Sequence, residues 1–265
     1  MFGREASVSS GGVRLTSPPQ DIHFQVRFDT DPEPNLAVID VFNLSSDTTN
    51  RFRRGETVIL GAGYRGDVGT IVAGVIDEVR SAWNVARGSG NERVLRLEAT
   101  DASERWMTTR VSRAYRPGIR ASQILSDLLG TYGLEIGALQ LPEDVSYING
   151  RTLHTTLRAA LRQVVEDCGA KLHTSGGAVF ILPPEQGLGV AIVLSPDTGL
   201  VESPERIDSD EGEFWRVVSL LNHRIRADSI VKVESRGLSG YFRVVKGEHI
   251  CGDQDYETRM EVAAL

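Results

Sequence analysis

Short runs in which apolar and polar residues alternate recur through the first hundred residues, with no helical period between them. A strand with one buried face imposes that alternation, because successive side chains point to opposite sides of the sheet. Ile22, Phe24, Val26 and Phe28 alternate with His23, Gln25 and Arg27. After the Pro-rich, acidic loop Asp29–Pro34, Val38, Ile39, Val41 and Phe42 mark a second strand over Ala37 to Leu44. Thr57 to Tyr64 and Thr70 to Val79 read as two more, joined by a glycine-rich turn, and Arg93, Leu95, Leu97 and Ala99 share one face of another. Between the last two, 84–92 has the composition of a hairpin tip. Five or more short strands in succession can bury their apolar faces only as a sandwich or barrel. Residues 1–110 are thus expected to form a first β-barrel domain.

The pattern changes at Pro117-Gly118. Ser122 is a candidate N-cap for a helix with the apolar stripe Ile124, Leu125, Leu128 and Leu129, stopped by Gly133. Leu153, Leu157, Leu161, Val164, Val165 and Cys168 recur at helical spacing, and Gly169 ends that run. Lys171 to Thr174 and Ala178 to Leu182 flank Ser175-Gly176-Gly177 as a hairpin, closed by Pro183-Pro184. Residues 111–186 are expected to form a small α+β insert of two helices and a hairpin, too short for a deep core of its own. Residues 187–265 return to β: Val190 to Leu194, Trp215 to Leu221, Ile230 to Val233, Tyr241 to Lys246, and the alternating Tyr256, Thr258, Met260 and Val262. Asp208 to Glu213 reads as an acidic loop. The fold class is mainly β, two β-barrel domains flanking a helical and hairpin module, with no strict short repeat.

Composition excludes several functions. With 36 acidic against 29 basic side chains the net charge is −7, which disfavours non-specific nucleic-acid binding. No apolar run approaches the roughly 20 residues of a membrane helix, and Met1 to Ser10 has no signal-peptide core, so folding in a cytoplasm without a membrane anchor is expected. Cys168 and Cys251 stand in no ligand spacing and read as two separate thiols.

Chemical motifs are sparse. Gly61, Gly63 and Gly66 fit G-x-G-x-x-G after a strand, but the β-branched, glycine-interrupted residues that follow cannot open the helix that a dinucleotide site needs. A glycine-rich hairpin is the better reading. His23, His154, His173, His223 and His249 form no short-range metal spacing, and Asp29 to Glu33 lacks the glycine and distal glutamate of a calcium loop. Glu202, Glu205, Asp208, Asp210, Glu211 and Glu213 crowd one polar stretch, which suits a solvated surface more than two carboxylates of divergent pKa. No catalytic residue, cofactor or metal is expected, and the chain reads as a non-enzyme.

Three segments carry a resemblance. RFRRGETVILGAGYRGDVGTIVAGVIDEV (Arg51 to Val79) is similar to the first barrel of phage tail and baseplate hub proteins, the late-control protein D type. ASQILSDLLGTYGL (Ala121 to Leu134) and Thr152 to Pro183 resemble that family's helical insert. Leu194 to His249 is the best match, with T-G-L-x-x-S-P-E, V-x-S-L-L-N and G-x-[FY]-R-V-V-K-x-E-H in order; Asp228 departs from it, standing where hubs tend to carry Pro-Gly. The resemblance implies a homotrimer whose paired tail-tube-like barrels make a pseudo-six-fold collar between tail tube and spike. Its implied partners are further copies of itself, the tail tube or distal tail protein, a spike or tip protein, baseplate wedge proteins and the tape measure protein. DNA would pass transiently through the lumen of a virion tail assembled in the host cytoplasm. Under that reading Gly61, Gly63 and Gly66 are backbone positions hindered by a Cβ, and Phe214, Trp215, Tyr241 and Phe242 are packing or subunit-contact residues. The alternatives are a carbohydrate-binding or host-adhesion module, using Trp83, Trp106, Trp215 and the tyrosines, and a tail-associated cell-wall hydrolase using Glu205 or Asp208.

Overall fold

A computed structural model describes residues 3–31, 33–84, 92–101, 109–209 and 212–265. The chain separates into two compact units, one of residues 1–29, 35–101 and 187–265, the other of residues 30–34 and 102–186. The 84–92 tip lies largely outside the described residues, as do Trp106, Asp210 and Glu211.

The first unit is a mainly antiparallel β structure built in two halves. The N-terminal half holds β1 (Arg4–Ser10), β2 (Val13–Ser17), β3 (Ile22–Asp29), β4 (Leu36–Phe42), the single turn α1 (Ser46–Thr49), β5 (Thr57–Tyr64), β6 (Asp67–Asn84) and β7 (Glu92–Thr100). Their sheet order is β3-β4-β7-β6-β5-β1-β2. Alternate residues from these strands, among them Val8, Phe24, Ile39, Leu60, Val72, Ile76 and Leu97, meet in one buried cluster. One face of so many strands can share a single core only if the sheet curls on itself. The C-terminal half holds β15 (Leu188–Leu194), β16 (Glu205–Ser209), β17 (Gly212–Leu220), β18 (Ser229–Glu234), β19 (Ser239–Cys251) and β20 (Tyr256–Ala264). Its core includes Leu194, Val217, Val231, Val233, Phe242, Val244, Met260 and Val262. The expected acidic loop falls instead largely in strands, with Asp208 and Ser209 of β16 opposite Glu213 and Gly212 of β17.

The second unit contains β8 (Arg110–Tyr115), β9 (Ile119–Arg120), α2 (Ala121–Thr131), β10 (Glu135–Leu139), β11 (Ser146–Tyr147), β12 (Arg151–Thr156), α3 (Leu157–Asp167), β13 (Lys171–Ser175) and β14 (Ala178–Leu182). Contrary to expectation it has its own apolar core, in which Ile124, Leu125, Leu128, Leu161 and Val164 from the helices meet Val111, Leu153, Val179 and Ile181 from the strands. The antiparallel pair β8·β12 supplies the layer that the sequence did not disclose. Leu153 belongs to β12, and α3 starts four residues later, capped by the Thr156 hydroxyl accepting from the Ala159 amide at 3.3 Å. Arg120, not Ser122, is the N-cap of α2; Asp144 binds the Ser122 amide and hydroxyl at 2.9 and 2.8 Å. No helix among the described residues is long and apolar enough to cross a membrane.

The two halves of the first unit repeat one another. The order β5-β6-β7-β4-β3 matches β18-β19-β20-β17-β16. The match holds at single residues. A one-residue bulge falls between Ile76 and Glu78 where β6 pairs β7, and between Val244 and Lys246 where β19 pairs β20. In each long strand the residue before that bulge pair, Val75 or Arg243, is the last to pair with the preceding strand. Superposing the bulges sets Arg96-Leu97-Glu98-Ala99 on Arg259-Met260-Glu261-Val262.

Candidate functional site

The seam between the halves is where the chemistry of the first unit concentrates. Past its bulge, β19 leaves β18 and pairs with β3, so Lys246, Glu248 and Ile250 stand opposite Asp29, Arg27 and Gln25. Backbone hydrogen bonds thus run without interruption from one half into the other. Gly247 sits opposite Phe28, and a Cβ there would lie 2.4 Å from the Arg259 carbonyl oxygen and 2.6 Å from the Phe28 ring. His249, fully buried beside it, packs on Phe28 with ring centroids 4.9 Å apart. Its Nε2 lies 3.0 Å from the Ile225 carbonyl and must carry the proton; Nδ1, 2.9 Å from the Thr258 hydroxyl, then accepts. The neutral ring is fully bonded, and burial pushes the imidazole down to about 4 from an ordinary value near 6.5.

A pH dependence follows. A depressed native pKa means that only the unfolded chain takes up the proton as pH falls. The stability from neutral His249 is therefore complete above about pH 6.5 and lost progressively toward pH 4. Between pH 7.5 and 5 the loss amounts to about 2 kcal/mol. Denaturation of wild type and His249→Asn at both pH values checks this: the wild type loses that much more than the variant, and parallel losses would refute it.

The glycine motif lies on the other side of the seam. Gly61 and Gly63 are in β5 and Gly66 makes the turn to β6 with φ +87. A Cβ on Gly63 would fall 2.1 Å from the Asp67 carbonyl oxygen. That bare backbone receives Tyr256 of the C-terminal half. The Tyr256 hydroxyl accepts from the Gly63 amide at 2.9 Å and shares its proton between the Glu5 and Gly63 carbonyls, each 2.7 Å away. Burial raises the Tyr256 phenol well above its ordinary value. Beside it, Arg224 grips Asp67 with both guanidinium nitrogens, at 2.5 and 2.7 Å, and holds that carboxyl low. The His223 ring covers Gly69, leaving no room for a side chain. The hairpin that mimics a nucleotide fingerprint is a docking surface for His223, Arg224 and Tyr256.

The outer face of the continuous sheet is charged. In one row, Asp29, Lys246, Glu261, Arg216 and Glu205 follow each other across five strands with alternating sign. Lys246–Glu261 and Arg216–Glu205 lie at 3.0 and 3.6 Å. The next row runs Arg27, Glu248, Arg259. An open groove of about 560 Å³ lies along these rows. On the N-terminal half Arg96 binds Asp40 through two 2.7 Å bonds.

The remaining sequence candidates are dispersed. Phe242 is buried, Phe214 and Trp215 are half-buried, and Tyr241 is exposed with Lys232 above its ring at 5.8 Å. Glu205 and Glu213 face Arg216 and Arg206. Glu33, in the second unit, pairs with Arg158. Among the described residues no three His, Cys, Asp or Glu converge as a metal set. Neither cysteine is in a disulfide, and burial pushes Cys251 up to about 12. The sequence marked Asp228 only as a departure and missed its partner. Asp228 is fully buried, left-handed at φ +64, and bonded to Arg243 at 3.0 Å.

No protein-family model and no curated protein matches the sequence. Solved structures do match. The 43 kDa tail protein of prophage MuSo2 from Shewanella oneidensis aligns with TM-score 0.71 at 8% identity, covering 99% of this chain and 98% of that one. A tail protein from Neisseria meningitidis MC58 gives 0.69 at 11%, covering 98% and 96%. An E. coli component of the type VI secretion system, described as structurally similar to T4 bacteriophage tail proteins gp27 and gp5, gives 0.63 at 11%, covering 97% and 76%. The chain therefore has, along its whole length, the fold of these tail and secretion-system proteins.

Proposed function

We propose that the protein is a structural component of a phage tail or baseplate: a hub of three copies forming a pseudo-six-fold ring that joins the tail tube to a spike or tip. The observation that carries this reading is the repeat within the first unit, five strands in the same order in both halves with matching bulges. Three such chains present six similar sectors, which fits a six-fold tube on one side and a three-fold spike on the other. The whole-length likeness to tail proteins supports the same reading. Its partners are then further copies, tube, wedge, tape measure and spike proteins, in the tail of a virion. The charged outer face suits a channel wall: acids and bases neutralise each other along the rows and leave little field to hold passing phosphate. The role in this reading is structural, and Glu205, one of the two acids named for a hydrolase, faces Arg216 at 3.6 Å.

Light scattering of the purified protein tests this. The expected mass is three times the 29.0 kDa chain; a monomer at every concentration, from a protein missing from purified tails, would contradict it.

A further inference from the structure

We infer that copies of this chain join head to tail by adding the edge strand β16 of one copy to the far half of β6 of the next, in the register that β3 and β19 adopt within one chain. The inference rests on the self-assembling ring just proposed and names the surfaces that close it.

The chain carries its own template. Before its bulge β19 pairs with β18; after it, the same strand edge takes up β3. β6 is built alike, pairing with β5 up to Val75 and then running on through the bulge beside β7 alone. Among the described residues its edge over Glu78–Ala82 has no strand beside it. At the other end of the sheet β16 occupies the position of β3 and, among the described residues, has a strand on one side only, β17. Among the described residues neither edge has a second strand beside it, and neither carries a proline to block addition of a strand. The surface that β19 offers to β3 is offered again by β6, and the strand equivalent to β3 is left over at β16.

The register follows from the repeat. Glu98 matches Glu261, so Val38 on β4 matches Arg216 on β17, and Gln25 on β3 matches Glu205 on β16. The in-chain pairs Glu248·Arg27 and His249·Val26 then translate into Arg80·Ile207 and Ser81·Arg206 between copies. In that register Arg80 lies diagonal to Glu205, a favourable cross-strand combination. Because the two edges are different surfaces, the contact joins copies head to tail and propagates until a ring closes.

Cysteine pairs in the full chain test the pairing: Arg80→Cys with Ile207→Cys, and Ser81→Cys with Arg206→Cys. Adjacent opposite positions alternate between wider and closer Cβ spacing, so two successive pairs of the one register cover both cases. Arg80, Ser81 and Arg206 are exposed and Ile207 is half-buried, which spares folding. Mild oxidation should give a covalent ladder up to the three-chain species from at least one pair. Single variants and the out-of-face pair Arg80→Cys with Arg206→Cys should cross-link at least tenfold less. A three-chain mass with no cross-link from either pair would overturn this pairing and leave the ring standing. A monomeric mass with no cross-link would overturn both.

Discussion

Replacing Asp228 with alanine should lower the unfolding free energy by about 3–5 kcal/mol, the cost of breaking a buried ion pair by removing one partner. Two effects add. The carboxylate is fully buried against the Arg243 guanidinium, itself only 14% exposed, and its loss leaves a cation with little water to solvate it. The backbone at 228 is left-handed, which alanine tolerates poorly and aspartate or asparagine better. The residue also ties three strands together, its amide donating to the Val244 carbonyl at 2.9 Å and its carbonyl accepting from the Leu188 amide at 2.6 Å. Asp228→Asn should therefore fall between wild type and alanine, and Asp228→Asn combined with Arg243→Met should regain most of the loss. Chemical denaturation distinguishes these cases; an alanine variant within 1 kcal/mol of wild type would show that the pair contributes nothing.

Gly247→Ala should cost about 3 kcal/mol, at the upper end of what overpacking a core does. The obstacle is chiefly backbone, since the new methyl would meet the Arg259 carbonyl oxygen at 2.4 Å, and the Phe28 ring bars the other direction. To make room β19 must move off β20 at the place where it also holds β3, so the seam between the halves opens. Gly237→Ala is the control, because no atom lies within 4 Å of its added methyl. A melting temperature for Gly247→Ala equal to that of the control would mean that the seam yields easily.

What the sequence disclosed follows from which strands have one face in water. β3, β4, β5, β7 and β20 do, and their alternation is plain; the ends expected for β5, Thr57 and Tyr64, are those observed. The stripe of α2 and the stops at Gly133 and Gly169, both left-handed, were equally legible. β1 was not, because the residues it buries include Ala6 and Ser10, which carry little hydrophobic signal. β16 reads as a loop because its sequence, Glu-Arg-Ile-Asp-Ser, holds a single apolar residue and so has no period to show. The sequence pattern of β19 covers only Tyr241 to Lys246, since Gly247, Glu248 and His249 interrupt the apolar run where the strand changes partners. Two similar barrels are expected from the sequence, but their match at single residues is not legible, because four residues, Arg96 to Ala99 against Arg259 to Val262, have no weight until strand register aligns them. The seam pairs, Tyr256 with Gly63 and Asp228 with Arg243, join residues distant along the chain, and no local pattern encodes such contacts.

Electron cryo-microscopy of the purified protein bears most directly on whether the paired halves exist to double a three-fold symmetry. Face-on class averages should display a closed annulus of six comparable lobes, alternately joined by the β3·β19 seam and by the contact between copies. Isolated two-lobed particles, or a two-fold dimer with the β6 and β16 edges left open to solvent, would contradict it.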